Sequence, residues 1–313
     1  MKHDPEVASA AVTELAFGVV PGAGMTAPDQ LEALPIDSMW MGGHVASPNP
    51  SPEVMMALAL LAARTTRVRI GTSILLLPLY PPAIIAKQIA DLDNVSGGRV
   101  TLGVGIGGEY PGEFRACQVP VAERGPRTDE AIPLLRRLWT AESVTHTGRF
   151  YSMDDVRIHP APVLAGGPPI VVAGRQEAAM RRAARLGDGW MPYLYSPRRY
   201  AASVTTIEDI ARADGRSLDR FEWFAFVFVG IHENGDHARD DAAHFLGGNY
   251  RQDFRSMVSS VAAVGTVDEV TATLQAFVDA GARHLIFAPA APDPQATIDR
   301  LFSDVVPRLV APA

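Results

Sequence analysis

Val100–Phe114 reads VTLGVGIGGEYPGEF, an apolar run that closes on Gly103, Gly105 and Gly108 in the G-x-G-x-x-G spacing of a dinucleotide phosphate turn. The fold depends on whether it is that turn. A nucleotide-binding turn passes from strand through glycines into a helix whose first amides hold the pyrophosphate, with an acidic residue closing the next strand. Here Glu109, Tyr110, Pro111 and Gly112 follow, and Pro111 stops the chain from running straight on as a helix. The run is also the fourth of a series. Gly103, Gly105 and Gly107 are read instead as a place where a flat body lies against backbone without Cβ atoms. The alternative is that they only relieve crowding inside a barrel.

Working outward, eight apolar runs qualify as strands: 15–20, 37–42, 68–76, 100–105, 169–174, 190–194, 224–230 and 284–289. Helical patterns separate most of them, at 51–65, 81–98, 127–139, 175–187, 196–215 and 266–281. Ser51 before Pro52 reads as an N-cap, Gly97 and Gly98 as a helix end, and Thr266 with Glu269 as a capping box. Pro133 predicts a late start or a kink in the 127–139 helix. Near-continuous apolar strands alternating with helices point to a closed (β/α)8 TIM barrel, with a doubly wound open sheet as the second choice. Residues 141–166 break the alternation and predict a surface hairpin inserted after strand four, with Thr147-Gly148 near its turn. No linker divides the chain, so residues 1–313 are read as one domain.

Composition narrows the function classes. Apolar residues are 47% of the 313, enough for a large core, and the single cysteine, Cys117, allows neither an internal disulfide nor a cysteine-rich metal site. The start, MKHDPEVASAAVTELAF, lacks a secretory apolar segment, and no run approaches a membrane span, so a cytoplasmic location is expected. A net charge of -7 without basic blocks argues against nucleic acid. Lysine occurs only at Lys2 and Lys87, and Lys87 lies in a helix, which removes Schiff-base aldolase chemistry. The stretch His232–His237, HENGDH, is a polar turn without helical ligand spacing, so no metal site is expected. Gly174, between a strand and a helix, offers the backbone N–H groups of Arg175, Gln176 and Glu177 as an anion site, which the Arg175 side chain would reinforce by turning inward. Arg181, Arg182 and Arg185 are read as a solvated helix face.

Three long stretches, RIGTSILLLPLYPPAIIAKQIADLDNVSGGRVTLGVGIGG, ERGPRTDEAIPLLRRLW and PPIVVAGRQEAAMRRAARLGDGW, resemble the bacterial luciferase-like oxidoreductases, and most of all the actinobacterial branch assigned to coenzyme F-420. The similarity spans roughly residues 15–290. It implies a barrel whose cofactor ring, F-420 or FMN, lies over the C-terminal strand ends, with the phosphate at Gly174–Gln176. It implies a cis peptide at Ser73-Ile74 supporting the ring, His44 as the catalytic histidine and Glu109 as a proton donor beside the ring. Three departures stand out: the acidic residue expected before the histidine is replaced by Gly43, the aromatic residue expected shortly after it is absent from a loop filled by Pro48 and Pro50, and Glu109 falls one position late after Gly108. The expected activity is F-420-dependent hydride transfer to or from a small organic substrate. Alternatives are an FMN-dependent two-component monooxygenase and a non-catalytic flavin-binding barrel. Substrate access is expected among the loops after Gly42, Gly107 and Tyr195. Trp190, Tyr193, Tyr195 and Phe228 are read as pocket or packing. A flavin or F-420 reductase and a second copy of the chain are the expected protein partners.

Overall fold

All eight apolar runs become strands of one closed sheet. The computed structural model describes residues 14–312, so most of the N-terminal stretch read for a leader lies outside the described residues. The barrel strands are β1 (Ala16–Val19), β2 (Ser38–Met41), β3 (Arg69–Thr72), β4 (Val100–Gly105), β5 (Ile170–Ala173), β6 (Gly189–Met191), β7 (Glu222–Ile231) and β8 (His284–Pro289). Each pairs in parallel with the next, and β8 returns to β1, with Ala16 opposite His284. Parallel neighbours need crossovers. Helices Val54–Arg64, Pro82–Ser96, Arg124–Leu138, Glu177–Leu186, Pro197–Ala213 and Val267–Asp279 supply most of them. Every residue of β4, β5 and β6 is buried, as strands covered on both faces must be. The architecture is a (β/α)8 barrel, and the open sheet is excluded.

Local chemistry explains the boundaries, with three corrections. Helix Val54–Arg64 is capped by Glu53, whose carboxylate accepts from Met56 N, and not by Ser51, whose Oγ accepts from His44 N at 3.0 Å. Pro133 sits inside Arg124–Leu138, which begins earlier than the sequence pattern suggested. A short strand, Ala263–Gly265, escaped the sequence reading; it pairs with Val229–Ile231 at the far end of β7. The capping box at Thr266 and Glu269 forms as read, and Gly97 ends its helix at φ 72°, a left-handed conformation that suits glycine. The inserted hairpin pairs Val144–Thr147 with Ser152–Val156. Its turn is held by Glu130, which accepts from Arg149 N, Phe150 N and Tyr151 N at 3.1, 3.0 and 2.9 Å. Burial pushes the Glu130 carboxyl up, but His146 and the Tyr151 and Phe150 amides outweigh it and hold the group below the usual carboxylate range.

Inside the barrel Trp40 is fully buried, and the sequence makes room for it. A Cβ on Gly18 would stand 2.8 Å from the indole nitrogen, and one on Gly71 2.4 Å from the ring. The N-terminal strand ends carry a buried polar layer. Trp40 Nε1 donates to Ser38 Oγ at 2.7 Å, and Ser38 Oγ bonds His284 Nε2 at 2.7 Å. Beside them Arg69 makes a bidentate pair with Glu222 at 2.6 and 3.0 Å and donates to Thr101 at 2.8 Å. Burial first, and then the Arg69 charge, hold His284 well below the ordinary imidazole value, so this layer keeps a neutral histidine.

Candidate active site

At the opposite, C-terminal end the strands open into two adjoining cavities of about 600 and 480 Å³. His44, Ser73, Ile74, Gly105, Gly107, Glu109, Gly174, Arg175 and Gln176 all line the larger one. His44, Ser51, Glu109, Phe226 and Tyr250 belong to both cavities and form the wall between them. The Ser73–Ile74 peptide is cis. Gly103 does not line the space: a Cβ there would meet the Thr72 carbonyl at 1.9 Å, so this glycine relieves crowding between β3 and β4. Gly105 clears the Ile74 side chain, which a Cβ would approach to 1.8 Å, and so lets that side chain floor the cavity.

His44 lies in the loop after β2, with its Nδ1 3.3 Å from both carboxylate oxygens of Glu113. Glu113 is wholly buried on the short helix Pro111–Ala116. The acidic partner missing at Gly43 is therefore supplied 69 residues further on, by the helix that Pro111 delays. An imidazole that donates Nδ1–H to a carboxylate keeps Nε2 as an acceptor, the tautomer a general base needs. Tyr110 packs edge-on against the His44 ring at 4.8 Å. Glu109 is exposed and accepts from the Tyr193 hydroxyl at 2.6 Å. Burial, then the Glu109 charge, push the Tyr193 phenol up, so it remains a donor. Tyr193 stacks on Tyr250 at 6.2 Å, and the Arg175 guanidinium lies over the Tyr193 ring at 4.9 Å.

Arg175 thus turns inward, toward the cationic end of the larger cavity. Gly174 turns the chain at φ 136°, where only a residue without Cβ is at ease, and a Cβ there would meet Ala179 at 2.6 Å. The helix that follows begins at Glu177 with Gln176 as N-cap, so its own open amides are those of Glu177 and Ala178, and the Arg175 and Gln176 amides precede it. Arg182 is not solvated. It is 6% exposed, pairs with Asp129 at 2.6 Å and lines the cavity. Arg124, unmarked in the sequence, joins it with its Nε buried and without a partner among the described residues. Ser73 Oγ, also on a cavity-lining residue, is orphaned in the same way. Buried polar atoms are normally satisfied. Two orphans, a helix N-terminus and three arginines around one space fit a ligand with a polar ring at Ser73 and an anionic tail at Arg124, Arg175 and Arg182.

Other candidates resolve differently. Tyr195 is buried and bonded to Ser203 at 2.9 Å, and Trp190 is core, so access does not run past Tyr195; Phe228 lines the smaller cavity. The loops after β1 and β8 take that place in the wall. In HENGDH, Asn234 caps helix Gly235–Tyr250 by accepting from Asp236 N at 2.9 Å. Among the described residues no cluster of three metal-ligating side chains exists, and no helix is long and apolar enough to cross a membrane.

The sequence profile of luciferase-like monooxygenases matches residues 26–284. An uncharacterized protein of Mycobacterium tuberculosis is 39% identical over 176 residues; the match takes 54% of this chain and spans 59% of the relative's length. An F-420-dependent glucose-6-phosphate dehydrogenase of Kineococcus radiotolerans is 28% identical over 311 residues, covering 90% of each chain. Among solved structures, an F-420-dependent secondary alcohol dehydrogenase holding an F-420-acetone adduct superposes with a TM-score of 0.83 at 21% identity, over 94% of this chain and 98% of its own.

Proposed function

This chain belongs to the luciferase-like monooxygenase family and is an oxidoreductase, and we propose that it binds coenzyme F-420 in the larger cavity and exchanges a hydride with a small organic alcohol or ketone in the smaller one. Bound F-420 supplies a ring that takes up or returns a hydride. Gly105, the Ser73 hydroxyl and the Ile74 side chain would support that ring, and Arg124, Arg175, Arg182, Gln176 and the amide of Ala178 would hold its phosphate. His44 Nε2 takes the proton of a substrate hydroxyl, or returns it to a ketone, while Glu113 holds the imidazole in the right tautomer and orientation. Glu109, bonded to Tyr193, serves as the proton donor beside the ring.

The observation that carries this reading is His44, paired with the buried Glu113 and set on the wall shared by both cavities, where a base can face cofactor and substrate together. The relatives that cover most of the chain supply the cofactor class. The test is the absorbance spectrum of protein purified from an F-420-producing host, followed by titration of stripped protein with F-420 and with FMN. A deazaflavin spectrum and preferential F-420 binding are expected. A bound FMN with no affinity for F-420 would overturn the cofactor assignment in favour of oxygen chemistry. Cofactor binding without any turnover of reduced cofactor would leave a binding protein.

A further inference from the structure

The two cavities differ in charge, and the difference identifies what the smaller one accepts. Among the described residues its lining contains no lysine and no arginine, while the larger cavity has three arginines. Its only acidic lining residue is Glu109, and its one histidine, His44, is engaged with Glu113. Three of the four polar side chains further from the shared wall are already occupied, and the fourth, Asn249, is an uncharged amide. Asn49 donates to the carbonyls of Gly248 and Asn249 at 3.4 Å, Ser47 donates to Asn49 O, and Tyr110 donates to Asn249 O at 3.3 Å. What remains is an apolar surface of Val20, Met25, Phe226, Phe228, Phe245 and Ala288, stiffened by prolines from the loops after β1, β2 and β8. A phosphate or carboxylate placed here would lose its hydration, gain no cation and face Glu109, a combination that costs far more than binding returns.

We propose that this chamber selects an uncharged alcohol or ketone with an apolar body, its single oxygen function at the His44 wall, and rejects phosphorylated and carboxylated substrates. The inference rests on the reading that the larger cavity holds the cofactor. It sets this chain apart from the sugar-phosphate dehydrogenases it resembles over most of its length. The space of about 480 Å³ lies in the range that accommodates ligands well beyond a few atoms, so the apolar body is expected to contribute to binding.

The experiment uses the full chain with two separate readouts. Quenching of deazaflavin fluorescence reports F-420 binding. Saturation-transfer NMR with 4-phenyl-2-butanol and with glucose 6-phosphate as probes reports chamber occupancy, with and without F-420. The alcohol is expected to bind and the sugar phosphate to give no signal at equal concentration. Ala291→Trp, on a half-buried loop position in the lining, should weaken the alcohol about tenfold or more by filling the space while F-420 affinity holds. Phe245→Lys, at a position 38% exposed on the rim, should weaken the alcohol and admit glucose 6-phosphate. Glucose 6-phosphate binding to the parental protein, absence of alcohol binding, or alcohol binding untouched by both variants would each overturn the proposal. Failure of F-420 to bind, with the alcohol still responding to the variants, would overturn the cofactor reading alone and leave the chamber's selectivity standing.

Discussion

The two ends of the barrel are built from the same strands and treat polar groups in opposite ways. At the N-terminal end Trp40, Ser38, His284, Arg69, Glu222 and Thr101 form a layer in which each group has a partner. At the C-terminal end Ser73 Oγ and Arg124 Nε are buried without one, glycines replace side chains, and two cavities occupy the space. A satisfied buried network stabilises the native state, and an unsatisfied one lowers stability until a ligand completes it. The closed end therefore holds the barrel together while the open end holds the chemistry, which is how (β/α)8 barrels divide their labour.

The division can be broken by moving one group at a time. The largest effect is expected at the open end and should be purely kinetic. His44→Ala should slow single-turnover hydride transfer at saturating cofactor by about 10² to 10⁴, the weight of one acid-base group, with the unfolding midpoint little changed. Glu113→Gln should lower the same rate by less and leave KM unaltered, because it acts through the orientation of His44. An intact rate in His44→Ala would show that the pair on the shared wall is not the catalytic one. Next in size is Ser38→Ala at the closed end. It strands both the Trp40 indole N–H and His284 Nε2, and should cost about 2 to 4 kcal/mol in urea unfolding with cofactor affinity retained.

The same contrast explains what the sequence could tell. The barrel was legible because strands covered by helices are written as apolar runs, and Pro111 after the glycines declares that no helix follows them directly. Ala263–Gly265 is too short to stand out from the loop around it. Gly105 and Gly174 could be placed because position along a strand is a local property, and His44 and Ser73 through the family resemblance at the same strand ends. Glu113 could not, since its meaning comes from a histidine 69 residues away. Arg182 had a signal that went unused: it shares the helical stripe of Ala179 and Ala183, both buried, whereas Arg181 and Arg185 do not. Arg124 had none, because only the fold turns the start of its helix toward the cavity.

A smaller effect probes the closed end through pH. His284 is held far below its ordinary value near 6.5, so below that pH the unfolded chain takes up a proton that the native state refuses. Above it neither state is protonated and the residue contributes no pH dependence. As pH falls through 6.5 the native state should lose up to about 1.4 kcal/mol per unit from this one site. His284→Gln, which cannot titrate, should flatten that part of the stability profile between pH 6.5 and 5. Parallel profiles for the parent and the variant would mean that the layer already tolerates a charged histidine.

The smallest expected change tests the division most directly, because it requires one substitution to harm function and spare the fold. Arg124 lines the larger cavity with its Nε orphaned, and its Nη1 donates to Val121 O at 2.8 Å. That carbonyl also receives the Arg124 backbone N–H, so removing the guanidinium strands nothing. Arg124→Met keeps the apolar stem and deletes a half-buried cation without a carboxylate partner among the described residues. F-420 affinity should fall about tenfold, near 1.4 kcal/mol, as expected for one lost charge-assisted hydrogen bond to the cofactor's anionic tail. The unfolding midpoint without cofactor should stay level or rise, since a group held for a ligand is a cost when that ligand is absent. Equal F-420 affinity in parent and variant would move the anionic tail elsewhere in the cavity. A drop in stability comparable to that of Ser38→Ala would show that the open end is as structural as the closed one, and the contrast between them would fail.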